Sequence, residues 1–214
     1  MVPVRLTGPR LAIREHHHTP EEVAALHAVF GDPEVTRHLP FGPRDPDTCA
    51  DQLELCLDEA MAEPRRVYRL AVTLRADATG EADAGAGTDV DAADPARATL
   101  IGQGSLTLGP RRSAHLGYAL RRDAWGRGYA GELAGLLCGL AFGPLGVHRL
   151  VALTDVDNRA SARVLTRLGF QLEGRVRHDV YRDGVWSDSQ QYALLADEWP
   201  PPGAAAPAEG TAGG

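Results

Sequence analysis

The stretch Trp125-Gly126-Arg127-Gly128-Tyr129-Ala130-Gly131 has the composition of an anion cradle. A short apolar strand pattern, His115 to Leu120, runs into it, and an apolar run, Leu133 to Phe142, leaves it as a helix. The glycines therefore occupy a tight strand-to-helix turn. A helix N-terminus presents unpaired N–H donors and a partial positive charge, and glycine lets a phosphate come close to them. Such glycines also serve turns that bind nothing, so this stretch alone does not choose between the two.

Other residues with chemical potential narrow the field. All 22 basic residues are arginine. A Walker A loop needs its Gly-Lys-Ser/Thr, so P-loop nucleotide hydrolysis is excluded. Cys49, Cys56 and Cys138 form no Cys-x-x-Cys, which argues against a disulfide framework or a structural zinc site. His16, His17 and His18 invite a metal reading. They have no carboxylate pair at ligand spacing, and three consecutive side chains cannot all face one ion, so no metal site is expected.

The elements that must position these residues are legible from pattern. Arg10–Arg14 alternates apolar and polar as a first strand. Thr19 caps a helix with Pro20, Glu21 and Glu22 in its first turn and Val23, Ala25, Leu26, Val29 and Phe30 on its buried face. A second amphipathic helix runs from Asp47 to Glu63 with Cys49, Leu53, Cys56, Leu57 and Met61 along it. Strands follow at Val67–Leu74, Thr99–Leu108 and Ala114–Leu120, the last two joined by a turn at Gly109 to Arg112. After the glycine turn come a helix at Tyr129–Phe142, a fifth strand at His148–Thr154 and a helix at Ala160–Leu168 begun by Asp157-Asn158. Phe170–His178 and Ser187–Ala196 close the sheet around Arg182-Asp183-Gly184.

Length and charge set the remaining bounds. A chain of 214 residues, 43% hydrophobic, suits one domain with a real core. The net charge of −7 is concentrated in residues 77–97, which hold six acids and Arg97. That segment is expected to be an inserted low-complexity loop, and 200–214 a disordered Pro/Gly/Ala tail, beside a domain over 1–199. The nearly neutral remainder offers no basic face for nucleic acid. No run reaches the roughly 20 apolar residues of a membrane span, and the first ten residues lack the apolar stretch of a signal peptide. A cytoplasmic protein without membrane or nucleic-acid partners is expected.

Gly126-x-Gly128-x-x-Gly131 also fits a dinucleotide fingerprint, with Asp155 in place of a ribose-binding acid. The architecture argues against it. Several antiparallel strands precede the loop, and only one crossover unit exists.

Taken in order, four features resemble the GNAT acetyltransferase superfamily. They are the glycine turn after the fourth strand, the fifth strand, Asn158-x-x-Ser161, and Leu168-Gly169-Phe170. Gly117-Tyr118, Trp125 to Ala130, Asn158-Arg-Ala-Ser161 and Tyr181-Arg-Asp-Gly-Val-Trp186 with Asp188 are similar to its RimJ/RimL-type N-acetyltransferase branch. The resemblance spans about residues 8–199, outside the acidic loop. It implies an α+β fold: a central mixed, mostly antiparallel sheet of about seven strands, splayed between the fourth and fifth, with helices on both faces. It implies acetyl-CoA as acyl-donor substrate. The pyrophosphate would lie on Trp125, Gly126, Arg127, Gly128, Tyr129, Ala130 and Gly131, and the pantetheine along Tyr118, Ala119 and Leu120. Asn158 and Ser161 would contact the pantetheine or sit near the sulfur. Trp125 stands where many relatives have Gln or Arg, and loses no backbone donor by it.

The implied reaction moves an acyl group from the thioester to a primary amine by direct attack in a ternary complex. The amine must lose a proton, and the tetrahedral oxyanion needs a donor. Many relatives carry a glutamate just before the Gly-Tyr pair; here His115 stands there, an imidazole suited to accept that proton. His115 and Ser161 are therefore the candidate catalytic residues, His115 alternatively packing in the cleft or binding the acceptor. The oxyanion donor would be a backbone N–H near Leu116 to Tyr118. The tyrosine that protonates the thiolate in some relatives would fall near Leu165, so that acid is missing. Glu173, His178 and Asp188 are candidates for the acceptor side. The acceptor is a small-molecule amine or a protein N-terminus, with His115 favouring the former. Two alternatives remain: a carrier-protein phosphopantetheine as donor, faced by Arg127, Arg163 and Arg167, or a non-catalytic CoA-binding module.

Overall fold

Eight strands form one sheet in a computed structural model that describes residues 3–75 and 99–199. The acidic loop at 77–97 and the tail from residue 200 lie outside the described residues. The strands are β1 (Arg5–Thr7), β2 (Leu11–Arg14), β3 (Val67–Leu74), β4 (Leu100–Leu108), β5 (Ser113–Leu120), β6 (Arg149–Asp155), β7 (Gln171–Arg182) and β8 (Val185–Leu195). Their order is β1-β2-β3-β4-β5-β6-β8-β7, and only β5–β6 is a parallel pair.

The expected count of about seven strands is corrected to eight by β1. Its three residues pair with Ala12 to Arg14, too short a segment for alternation to announce it. The strands read as fourth and fifth are therefore β5 and β6. The closing strands also run longer than expected, over Gln171–Arg182 and Val185–Leu195, because β7 absorbs bulges between Leu172 and Gly174 and between Val176 and Val180.

Helices α1 (Pro20–Phe30), α3 (Pro46–Met61), α4 (Tyr129–Phe142) and α5 (Arg159–Arg167) cover the sheet, with a single turn α2 (Pro33–Thr36) between the first two. Strand pleating sends successive residues to opposite faces. On β3, Leu70 and Val72 join Leu133, Leu137 and Cys138 of α4, while Ala71 between them joins Leu26 and Val29 of α1 and Leu53 of α3. Full burial of each leucine contributes roughly 1.5–3 kcal/mol, so both layers hold the sheet firmly. One expectation for the helices changes: Met61 is 78% exposed at the end of α3. Glu22 lies in the first turn of α1 as expected, and it is buried there.

Candidate active site

The two central strands separate. β5 and β6 pair only over Ser113↔Arg149, Ala114↔Leu150 and His115↔Val151. Beyond that point β5 stays with β4 as far as Leu120, and β6 stays with β8 as far as Asp155. The β5 edge from Leu116 to Leu120 thus faces a fork with no described strand on its other side. Backbone donors and acceptors there are left for a partner of similar extended shape.

Helix α4 opens at the top of the fork. Gly126 and Gly128 have φ of 74° and 78°, the left-handed region that other residues enter at a cost. Thr19, Asp45 and Asn158 cap α1, α3 and α5 with a side-chain oxygen, whereas α4 has Gly128 at its N-cap and no side-chain cap. Its first-turn N–H groups are consequently free of an internal side-chain acceptor. The turn itself is braced. Arg10 donates from Nη1 to the Arg127 carbonyl at 2.7 Å and from Nε to Glu132 at 2.9 Å, and its guanidinium lies 4.8 Å from the Tyr129 ring. Glu132 Oε1 in turn accepts from the backbone N–H of Arg10 and Leu11. Trp125 donates from Nε1 to the Leu120 carbonyl, fixing the end of β5 against the turn.

At the base of the fork, the Tyr118 hydroxyl lies 3.0 Å from Ser161 Oγ and joins β5 to α5. Burial pushes the Tyr118 phenol above its ordinary range, outweighing the lowering by its bond to Ser161, so it remains an O–H donor at neutral pH. Asn158 is committed to capping, its Oδ1 accepting from the Ser161 N–H at 3.0 Å. His115 is exposed on β5 at the last paired position, on the same face as Gly117 and Ala119. Leu165 is 1% exposed in the core, so the position of the missing tyrosine acid is simply packing.

That face of β5 borders a cavity of about 500 Å³ between the sheet, α1, α3 and the loop after α2. Phe30, Phe41 and Leu55 give it apolar walls, and Gln52 and Gln103 line it from α3 and β4. Behind the glutamines runs a buried polar chain. Gln52 Nε2 donates to Gln103 Oε1 at 2.8 Å, and Gln103 Nε2 lies 3.0 Å from His16 Nε2. His16 Nδ1 lies 2.8 Å from Glu22, which also pairs with Arg14 at 2.9 Å. Burial alone would raise the Glu22 carboxyl, but hydrogen bonds from His16 and Arg14 and the Arg14 charge hold it down to about 2. An ionised Glu22 only accepts, so His16 carries its proton on Nδ1 and accepts at Nε2. Gln52 Oε1, at the other end, is buried without a donor among the described residues. Arg182 of β7 secures the loop wall by donating to the carbonyls of Thr36, Leu39, Phe41 and Arg37.

The Acetyltransferase (GNAT) domain family matches residues 10–171, which include the glycine turn, the fork and α5. The chain belongs to the GNAT acetyltransferase family. It is an acyl-CoA-dependent N-acetyltransferase. It is 28% identical over 196 residues to the uncharacterized N-acetyltransferase YoaA of Bacillus subtilis, covering 91% of this chain and 98% of that protein. It is 30% identical over 111 residues to the ribosomal protein uS5-alanine N-acetyltransferase of Escherichia coli, covering 50% and 57% respectively. In fold it is similar to Mycobacterium smegmatis RimJ solved with CoA-disulfide, with a TM-score of 0.68, 22% identity, and coverage of 89% of this chain and 84% of that one.

In this GNAT chain the fork and the turn bring together Tyr118, Ala119, Leu120, the Trp125–Gly131 stretch, Asn158 and Ser161. Glu173, His178 and Asp188 stand apart from the cavity beside β5. Glu173 forms an ion pair with Arg149 and accepts from Gln191, which hold its carboxyl down to about 2. Asp188 accepts from Arg175 and from the His178 N–H, and His178 stacks on Trp186. Among the described residues, no group of three or more His, Cys, Asp or Glu is placed to hold a metal ion, and His16 is in the buried chain. No helix there is long and apolar enough to cross a membrane. Burial pushes the Cys56 and Cys138 thiols up, to about 11 and about 12, so neither is a nucleophile at neutral pH. Arg10, Glu132, Arg44, Gln52 and Arg182 did not stand out in the sequence. Only Glu132 gave a signal, since an acid in the first turn after an anion cradle calls for a cation to offset it.

Proposed function

We propose that the chain transfers acetyl from acetyl-CoA to a small primary amine by direct attack in a ternary complex. The observation that carries this reading is the uncapped N-terminus of α4 opening beside the unpaired edge of β5. A pyrophosphate on the first-turn N–H groups of α4 and an extended pantetheine along Leu116 to Leu120 would satisfy both. The thioester then reaches the fork, with the cavity lined by Gly117 and Ala119 on the acceptor side.

In the reaction proposed, His115 takes a proton from the acceptor ammonium, directly or through one water. The amine nitrogen bonds to the thioester carbonyl carbon, a β5 N–H near Leu116 to Tyr118 stabilises the oxyanion, and the C–S bond breaks to release the CoA thiolate while the nitrogen gives its second proton to water. Ser161, receiving a hydrogen bond from Tyr118, donates to the departing thiolate. Asn158 fixes Ser161 by capping α5. This assigns to the Tyr118–Ser161 pair the task that a tyrosine at Leu165 would perform.

Calorimetric titration with acetyl-CoA, desulfo-CoA and pantetheine tests the donor assignment. Micromolar binding of acetyl-CoA and desulfo-CoA that collapses for pantetheine is expected. Equal binding of pantetheine would shift the donor to a carrier-protein phosphopantetheine, and no binding of any of the three would remove the reading altogether.

A further inference from the structure

The cavity beside β5 contains a cation that pairs with no carboxylate among the described residues. Arg44, in the loop that leads into α3, lines it with its guanidinium 3.9 Å from the Phe41 ring and 5.5 Å from the Phe30 ring. The two rings meet edge to face at 5.6 Å, and the Arg44 N–H is anchored on the Phe30 carbonyl at 2.9 Å. The guanidinium itself makes no hydrogen bond or ion pair among the described residues. Burial lowers its proton affinity, the signature of a charge taken from water without full compensation.

Neighbouring charges do not relieve it. Arg69, the other cation lining the cavity, is neutralised by Glu59 at 2.7 Å. Asp45, next in sequence, is committed to capping α3 through the Thr48 N–H at 2.7 Å. Asp51 lies exposed on α3 and forms no ion pair with Arg44. A guanidinium lying over an aromatic ring, with no hydrogen bond of its own among the described residues, has donors free for a carboxylate, which matches them with two parallel bonds. Arg44 would repel a second cationic centre, which disfavours polyamines and basic peptides.

We propose that the acceptor is a primary amine bearing a carboxylate on an apolar body, and that Arg44 binds the carboxylate while the amine faces β5. This rests on the reading above of the cavity as the acceptor side. The rings of Phe30 and Phe41 and Leu55 cover the apolar body, and Arg44, by holding the carboxylate, fixes the orientation in which the amine meets β5.

Matched pairs test the proposal: L-phenylalanine against phenethylamine, L-leucine against isoamylamine, and 5-aminovalerate against pentylamine. Acetylation rates are measured for each pair, and binding of N-acetyl-L-phenylalanine against its methyl ester is measured by saturation-transfer NMR with CoA present. The carboxylate member should be favoured at least tenfold. Arg44→Gln should bring the ratio within about threefold, and Arg44→Lys, which keeps the charge but loses the fork, should fall between. CoA titration of each variant reports that it is folded. No carboxylate preference in rate or binding, or a preference that survives in Arg44→Gln, overturns the proposal. Failure of the protein to bind CoA at all would instead remove the donor reading, so the two failures are separable.

Discussion

The two sides of the fork are built on opposite terms. On the α4 side, the side chains around the turn satisfy one another: Arg10 holds Glu132, the Arg127 carbonyl and the Tyr129 ring, and Trp125 holds Leu120. Backbone N–H groups and the Arg127 guanidinium are what remain to be filled there among the described residues. On the α3 side, among the described residues, Arg44 is left without an anion and the buried Gln52 Oε1 without a donor. A site that offers backbone recognises a group common to many reactions, while a site that offers unmatched side chains selects one ligand. On the assignment proposed above, the donor half is preorganised and generic, and the acceptor half carries the specificity.

The most severe break of this contrast lies beneath the acceptor cavity. Glu22→Gln leaves Arg14 buried without its carboxylate and disconnects His16, so unfolding free energy should fall by about 3 kcal/mol in urea titrations. The native Glu22 carboxyl lies well below the roughly 4.3 of an unfolded glutamate. Its contribution is therefore complete above that unfolded value and is lost as pH falls through about 2. Wild-type stability should drop across that window, and Glu22→Gln should lose the part of the slope due to this carboxylate. An unchanged acid slope would mean that Glu22 is not the group so stabilised.

At the fork itself, His115→Gln keeps a polar side chain and removes the base. A fall in kcat of about a hundredfold is expected, with acetyl-CoA affinity unaltered. A loss confined to the KM for the amine would place His115 in acceptor binding instead. On the donor side, Arg10→Ala should weaken acetyl-CoA binding about tenfold while leaving the amine KM alone, because Arg10 touches the turn and not the cavity. Equal effects on both substrates would show that the two halves are not independent.

The contrast also explains what the sequence revealed. The donor turn is local: strand, glycines and helix lie within residues 113–142, and their spacing carries the geometry. The acceptor side is assembled from residues far apart in the chain. Arg182 reaches carbonyls more than 140 positions away, and Gln52 meets Gln103 across 51. Glu22 was legible only as a first-turn acid, because its buried partners Arg14 and His16 come from the strand end and connection before α1. Glu173, His178 and Asp188 were charged residues near the right strands, yet their bonds are made within β6, β7 and β8. Pattern reports which face a residue takes in its own element, and charge pairing depends on what other elements bring to that face.

The smallest expected effect concerns the residue that joins the halves. Tyr118 belongs to β5, which borders both the proposed pantetheine track and the cavity, and its hydroxyl meets Ser161 on α5. Tyr118→Phe removes one hydrogen bond in a half-buried setting and should cost about 1 kcal/mol of stability. If the pair assists the thiolate, kcat falls about fivefold in Tyr118→Phe and about equally in Ser161→Ala. The double variant should then be no worse than either, because each single change breaks the same chain of donors. Additive losses in kcat would mean that the two hydroxyls act separately. A loss of stability with kcat intact would make their bond only a tie across the open fork.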